Sequence, residues 1–216
     1  MGSLYTKSFG ILNAKGEYLY LLDSDNMFGT EDYLETLYNI AKKTNCDIVE
    51  CNAFYINLVN KYIVKRRPYW VVLWSKLIRT NLFKKIIYQL GTNILYRKIV
   101  ALDDEFFGLY FYKQAYVIEL NKTGVINFIH HDEHIFFNKY SSKKAAKKYC
   151  MRIINTINGF YDLNHIQGKR MARNLYYYLF VNGNCQNYVD KILFLNLQNK
   201  ILSIKSTQIK NIAQKF

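Results

Sequence analysis

This chain of 216 residues has few prolines and glycines, and its cysteines do not occur as closely spaced pairs. With 1 Pro and 10 Gly, it has too little of either residue for a collagen-like or proline-rich architecture. Its 4 cysteines, at positions 46, 51, 150 and 185, include no Cys-x-x-Cys pair, which argues against a zinc ribbon and a disulfide-rich scaffold. We therefore expect reduced, partly buried thiols, as in cytoplasmic proteins.

Long apolar runs are also missing. The densest apolar segment, residues 69–78, has about half the length of a membrane span. The first residues do not combine a charged start with an apolar stretch and a small-residue cleavage site, so no signal peptide is predicted. Because 50% of the residues are hydrophobic, disorder is disfavoured, and we expect a folded cytoplasmic protein that is soluble or peripheral to a membrane.

Acidic residues are rare in the second part of the chain. Residues 1–60 carry 8 acids and 4 bases, whereas residues 61–216 carry 8 acids and 26 bases. This asymmetry predicts a basic region that faces phosphate groups, anionic lipids or nucleic acid, unless it is only a solvated lysine-rich surface. No nucleic-acid-binding motif accompanies the charge, so we predict no nucleic acid partner. The basic helices at the C-terminal end could instead lie on an anionic membrane.

Apolar periodicity predicts an α/β fold for the first part of the chain. We expect helix, strand, helix and strand in turn over residues 4–15, 17–22, 30–43 and 47–55, with Thr30 as the N-cap of the second helix. This alternation is typical of a mixed or parallel sheet covered by helices. Further along, we predict helices over residues 80–88 and 103–114, and two short strands, 116–120 and 125–130, separated by a turn.

The sharpest motif is Asp23-Ser24-Asp25, which directly follows the predicted buried strand. Ligands bind at the carboxyl ends of strands in open α/β sheets. Two carboxylates one residue apart can share a hard divalent cation such as Mg²⁺ or Mn²⁺, and a diphosphate can supply further oxygen ligands. An ordinary surface turn is the alternative interpretation of the same residues.

Three segments around this motif resemble the middle of a family 2 glycosyltransferase of the GT-A fold. They are residues 2–10, the run Ala14-Lys15-Gly16-Glu17-Tyr18, and Leu22-Asp23-Ser24-Asp25-Asn26. The run from Leu73 to Arg79 is similar to the family's Trp-x-Lys-Leu-Tyr-Arg segment. The resemblance implies a partial GT-A domain over residues 1–135, followed by a basic helical region over residues 136–216.

The resemblance also assigns roles to five residues. It implies that Asp25 ligates Mn²⁺ or Mg²⁺, that Asp23 lies near the metal and the nucleotide ribose, and that Lys7 binds the nucleotide, where the family usually has Arg. Asp104 matches the general base that deprotonates the acceptor hydroxyl, and Asp103 stands where Glu is usual. The implied reaction is an inverting sugar transfer from a UDP-sugar to a saccharide or lipid-linked acceptor.

Two other functions remain open at this stage. About 80–90 residues that carry donor contacts in the family are expected ahead of this region. The chain could therefore be an inactive remnant that acts as an interaction module, and a sheet without those strands offers an edge for oligomer formation. A phosphatase of the haloacid dehalogenase type, with Asp23 as nucleophile, is disfavoured because Met27 replaces the expected Thr or Val. A histidine-rich segment, residues 130–134, is a weaker metal-site candidate.

Overall fold

The computed structural model describes most of the chain as two compact units. The described residues are 2–24, 26–57, 62–66, 72–99, 102–129, 142–163, 165–181, 183 and 185–204. We call Lys7–Gln89 with Phe107–His134 the sheet unit. We call Met1–Thr6, Leu90–Phe106 and Ile135–Phe216 together the helical unit. Each unit is described by itself, and the predicted division at residue 135 stays a prediction.

Strands and helices alternate along the sheet unit. The strands are β1 (Tyr18–Tyr20), β2 (Asn26–Phe28), β3 (Ile48–Asn57), β4 (Tyr62–Arg66), β5 (Lys76–Arg79) and β6 (Val117–Ile129). The helices are α1 (Ser3–Asn13), α2 (Tyr33–Thr44), α3 (Thr80–Leu90) and α5 (Asp103–Gln114), and α1, α3 and α5 also extend into the helical unit.

The strands form one mixed sheet in the order β1-β5-β3-β6-β2, with β4 paired to β3. Only the β3–β6 pair is parallel among the described strands. The mixed sheet with covering helices confirms the predicted α/β class and is consistent with a partial GT-A fold.

Two predicted features of the sheet are wrong in detail. The first strand is not fully buried, because β1 has three residues, all half-buried, and pairs with β5 alone among the described strands. Residues 117–129 form one strand rather than two, because β6 keeps its ladder with β3 across the predicted turn. Register shifts on either side of Asn52 accommodate the extra residues as a β-bulge.

The second helix begins later than Thr30. It starts at Tyr33, with Asp32 in the N-cap position, while the Thr30 carbonyl accepts only a long turn hydrogen bond of 3.4 Å from the Tyr33 amide. Asn45 ends the helix in the left-handed conformation, with φ of 51°. Asn adopts this conformation more readily than most residues, so Asn45 is a suitable C-cap.

The core of the sheet unit lies between α2 and the middle of the sheet. The buried residues of this cluster come from one face of α2 and from inward positions of β3, β5 and β6; they include Tyr33, Leu37, Ala41, Val49, Cys51, Ala53, Leu77 and Val125. The α2 members lie at the three- and four-residue spacing of a helical stripe. Burial of each large side chain contributes about 1.5–3 kcal/mol to folding.

Gly124 allows α2 to approach the sheet. A methyl group built on Gly124 would lie 1.8 Å from a ring carbon of Tyr33, which is buried. The Gly124 carbonyl also accepts a hydrogen bond of 2.9 Å from the amide of Gly29, just after β2. The close contact leaves no space for a side chain at this position.

We predict that Gly124→Ala lowers the free energy of unfolding by about 1–3 kcal/mol, because the buried Tyr33 ring must shift to accommodate the methyl group. Gly10→Ala is the matched control, since no atom lies within 4 Å of its built methyl group. Gly10 is exposed within α1, so this change should be neutral or stabilising by up to about 1 kcal/mol. Urea denaturation of both variants checks the prediction, and equal stability would contradict it.

The helical unit is built from α4 (Thr92–Leu95), the start of α5, and three later helices. These are α6 (Lys143–Asp162), α7 (Ile166–Tyr176) and α8 (Lys191–Leu202); a π-helical turn (Tyr177–Val181) and a 3-10 helix (Cys185–Tyr188) precede α8. Phe106 stacks on Phe160 with ring centroids 4.0 Å apart. The guanidinium of Arg97 and the ammonium of Lys200 both pair with Asp162.

The cysteines depart from the expectation of reduced thiols. Cys150 of α6 forms a disulfide with Cys185, with their Cα atoms 5.5 Å apart, whereas Cys46 and Cys51 are free and buried. The pair is 35 residues apart in sequence, and it meets only because the 3-10 helix packs against α6. Spacing alone could not reveal it.

Among the described helices, none combines the length and apolar character needed to cross a bilayer.

Candidate functional site

The aspartate motif lies on the connection between β1 and β2. The Asp23 carbonyl accepts a hydrogen bond of 3.0 Å from the Asn26 amide, which closes a tight turn at the start of β2. The side chain of Asp23 is half-buried. Asp25, the predicted metal ligand, lies outside the described residues. The structure therefore places Asp23 at a turn beyond the end of a strand, as the sequence predicted.

Three aromatic rings join the two strands that flank this connection. β1 and β2 stand at opposite ends of the strand order, yet the rings of Tyr20 and Phe28 are 5.4 Å apart. Tyr33 of α2 contacts both rings, at 5.9 Å from Tyr20 and 5.4 Å from Phe28. The sheet must curl to bring its two ends together, and Asp23 lies on the connection between the two strands that the rings join. We call these three residues the aromatic cluster.

Hydrogen bonds fix the phenols of the cluster. The Tyr20 hydroxyl donates to the carbonyl of Trp74, and the Tyr33 hydroxyl lies 2.7 Å from the sulfur of Cys51. Burial raises the pKa of Tyr20, and the negative charge of Asp23 raises it further. Tyr20 precedes Asp23 by three residues and Phe28 follows it by five, so the aromatic cluster flanks the motif along the chain.

The predicted nucleotide ligand Lys7 lies on α1, and its side chain is half-buried. Lys84 of α3 donates a hydrogen bond of 2.8 Å to the carbonyl of Ala14, at the start of the loop that leads from α1 to β1. Both lysines belong to the sheet unit, as Asp23 does.

The predicted catalytic acids occupy the first turn of α5. Asp103, Asp104 and Glu105 follow one another there and are all half-buried. Carboxylates at this end of a helix are stabilised by the positive pole of its dipole. Leu102, directly before them, has a φ of 57°, a left-handed conformation that costs energy in a non-glycine residue. The acidic turn therefore starts from a strained residue.

Glu105 is a member of this turn to which the sequence analysis assigns no role. Burial raises its pKa to about 7, with a further contribution from the charge of Asp104. The signal was present in the sequence, because Glu105 directly precedes Phe106 and Phe107, which are both fully buried. A carboxyl group at the margin of such a core loses hydration.

The site residues fall into two groups. Asp23 and Lys7 belong to the sheet unit, and Asp103 and Asp104 belong to the helical unit. Within the described part of the chain, no three His, Cys, Asp or Glu side chains converge in a group able to hold a metal ion. Asp23 nevertheless offers carboxylate oxygens, the ligand type that Mg²⁺ and Mn²⁺ prefer. The histidine-rich segment 130–134 lies outside the described residues.

Comparison with known families identifies a similarity over the region that carries the aspartate motif. Residues 6–103 match the model of the Glycosyl transferase family 2. The resemblance to family 2 glycosyltransferases is confirmed. The matched range includes Lys7, Asp23 and Asp103, and Asp104 follows directly after it. No curated protein matches the chain. The family match supports a glycosyltransferase-like function for this region.

The raised pKa of Glu105 leads to a stability prediction. The folded state holds a proton on Glu105 up to pH about 7, whereas the unfolded chain releases it near the ordinary value of 4.5. The unfolded state therefore binds fewer protons in this window, and the free energy of unfolding falls as the pH rises through it. We expect a loss of about 1–2 kcal/mol after allowance for solvent screening.

Glu105→Gln should remove this pH dependence, because the amide stays neutral at every pH in the window. Glu35→Gln, at an exposed position of α2, is the control, and its free energy of unfolding should change with pH as that of the wild type does. Urea denaturation of the three proteins between pH 4.5 and 7.5 measures how the free energy of unfolding changes with pH across the pKa of Glu105. Parallel curves for wild type and Glu105→Gln would refute the assignment.

Proposed function

We propose that the protein is an inverting glycosyltransferase that moves a sugar from a UDP-sugar donor to an acceptor hydroxyl with the help of Mn²⁺ or Mg²⁺. The observation that carries the proposal is the half-buried side chain of Asp23 on the connection between β1 and β2, the two strands that the aromatic cluster joins. This turn lies within the range that matches the glycosyltransferase family.

Asp23 and Asp25 supply the donor side of the proposed reaction. Their carboxylates would hold the divalent cation, which neutralises charge on the departing diphosphate when it is bound. The hydrogen bond from the Asn26 amide to the Asp23 carbonyl restricts the backbone at Asp23. A preorganised carboxylate loses less entropy when it meets the ligand. Lys7, in the same unit, provides a positive charge for the nucleotide phosphates.

Asp104 supplies the acceptor side. A carboxylate that accepts the proton of the attacking hydroxyl makes the oxygen more nucleophilic, and the attack on the anomeric carbon inverts its configuration. Asp104 is half-buried in the first helical turn, and the strained residue before it fixes the start of that turn. Asp103 stands beside it as the second acid of the pair. The proposed acceptor is a saccharide or a lipid-linked sugar.

The proposal predicts that the chain binds UDP in the presence of Mn²⁺. Asp23→Asn removes one negative charge from the motif and should weaken this binding about tenfold or more, as measured by calorimetric titration. Glu31→Gln removes the same charge from an exposed residue close to the motif and should leave the binding unchanged. If UDP does not bind, or binds equally to both variants, the chain is an inactive remnant with an interaction role.

Asp104→Asn should separate binding from chemistry. Because Asp104 is assigned to proton transfer, its loss should leave UDP binding intact and slow UDP release from UDP-sugars by about 10²–10⁴-fold. Chromatographic measurement of free UDP over time tests this expectation. Equal rates for wild type and Asp104→Asn would exclude it as the general base.

A further inference from the structure

Helix α6 opens with four lysines on one exposed face. Lys143, Lys144, Lys147 and Lys148 are all exposed and follow the three- and four-residue spacing of a single helix side. We call them the lysine face. The opposite side of α6 is buried in the helical unit, through residues such as Tyr149, Ile153 and Ile157. The lysines therefore take no part in the packing that holds the helix.

The lysine face is unfavourable for the isolated protein. Like charges at this spacing repel one another, and positive charge at the start of a helix opposes its dipole. None of the four forms an ion pair with a residue that the structure describes. The two acids between residues 142 and 204 are already engaged, because Asp162 pairs with Arg97 and Lys200 while Asp190 caps α8. An external anionic partner would remove this cost.

A row of exposed aliphatic side chains accompanies the charge. Ile192, Leu195 and Leu202 of α8 are 70%, 42% and 60% exposed, and their spacing places them on one side of the helix. We call them the aliphatic stripe. Side chains of this kind gain free energy when they leave water for an apolar layer.

The lysine face and the aliphatic stripe are oriented to the same side. α8 contacts α6 through Lys200, which reaches Asn158 and Asp162. Asn158 and Asp162 follow Lys147 and Met151 by three helical turns and therefore lie on the same side of α6 as they do. Because Lys200 contacts these two residues, α8 lies over the C-terminal half of the side of α6 that carries the lysines. Leu195 and Leu202 lie about 140° and about 160° around α8 from Lys200, so they face away from α6. Ile192, about 80° from Lys200, lies at the margin of this side.

We propose that the lysine face and the aliphatic stripe together dock the protein on an anionic lipid bilayer. The lysines meet the charged head groups, and the aliphatic side chains enter the interface below them. Aliphatic residues favour a bilayer over nucleic acid, because single strands are bound by aromatic stacking and base edges by polar side chains. This surface belongs to the helical unit alone and is independent of the proposed sugar transfer.

Vesicle co-sedimentation of the full chain tests the proposal. We expect binding to vesicles of phosphatidylcholine with phosphatidylglycerol, weakening as salt rises, and little binding to phosphatidylcholine alone. Each lysine near an anionic leaflet contributes about fivefold to binding. Changing all four lysines of the lysine face to Gln should therefore reduce binding by roughly 600-fold. The variant should unfold at or above the wild-type temperature, since charge repulsion is removed.

The matched control changes Lys15, Lys43, Lys85 and Lys113 to Gln. These lysines are exposed and lie outside the C-terminal helices, so net charge falls equally while the lysine face is intact. Binding of this control should stay within about threefold of wild type. The double variant Ile192→Asn and Leu195→Asn should lose the binding that persists at high salt. Equal loss in both lysine variants, binding to neutral vesicles, or binding to single-stranded DNA but not vesicles would overturn the proposal.

Discussion

The contact among Tyr20, Phe28 and Tyr33 is the constraint on which the sheet unit depends. It joins strands from opposite ends of the sheet and places a ring from α2 between them. Edge-on aromatic contacts of this kind contribute about 0.5–1.5 kcal/mol beyond the area they bury. Because the aspartate turn connects β1 to β2, the contact that holds these two strands together also fixes the two ends of the connection. Core packing and the position of the candidate site therefore have one physical origin.

A buried ion pair complements the aromatic cluster on the neighbouring strands. Lys76 of β5 lies opposite Glu50 of β3 in the strand register, and its ammonium is 3.4 Å from the carboxylate. Both residues are almost completely buried, so each charge would be unstable without the other. A shift of one residue between these strands would separate the pair and turn the flanking apolar side chains to the wrong face. The pair thus specifies the register of the sheet that carries the site.

Sequence reasoning was reliable where one local signal decides the structure. The apolar stripe of α2 and the acidic first turn of α5 are encoded in neighbouring residues, and Asp23 follows the first strand as predicted, although β2 after it was not predicted. Features decided by distant partners were missed. The Asn121-Lys122-Thr123-Gly124 segment has the composition of a turn, but pairing with β3 keeps it within a strand. The disulfide between Cys150 and Cys185 likewise arises from packing that no local pattern encodes.

The central claim is that the turn at Asp23 holds a divalent cation against the diphosphate of a nucleotide. Electron spin resonance of Mn²⁺ measures this most directly, because the six-line signal of the free ion disappears when the ion is bound. The account predicts that the full chain with UDP removes the free-ion signal, and that Asp23→Asn restores most of it under the same conditions. The account would be contradicted if the wild-type chain left the free-ion signal unchanged. It would also be contradicted if Asp23→Asn removed the signal as completely as the wild type does.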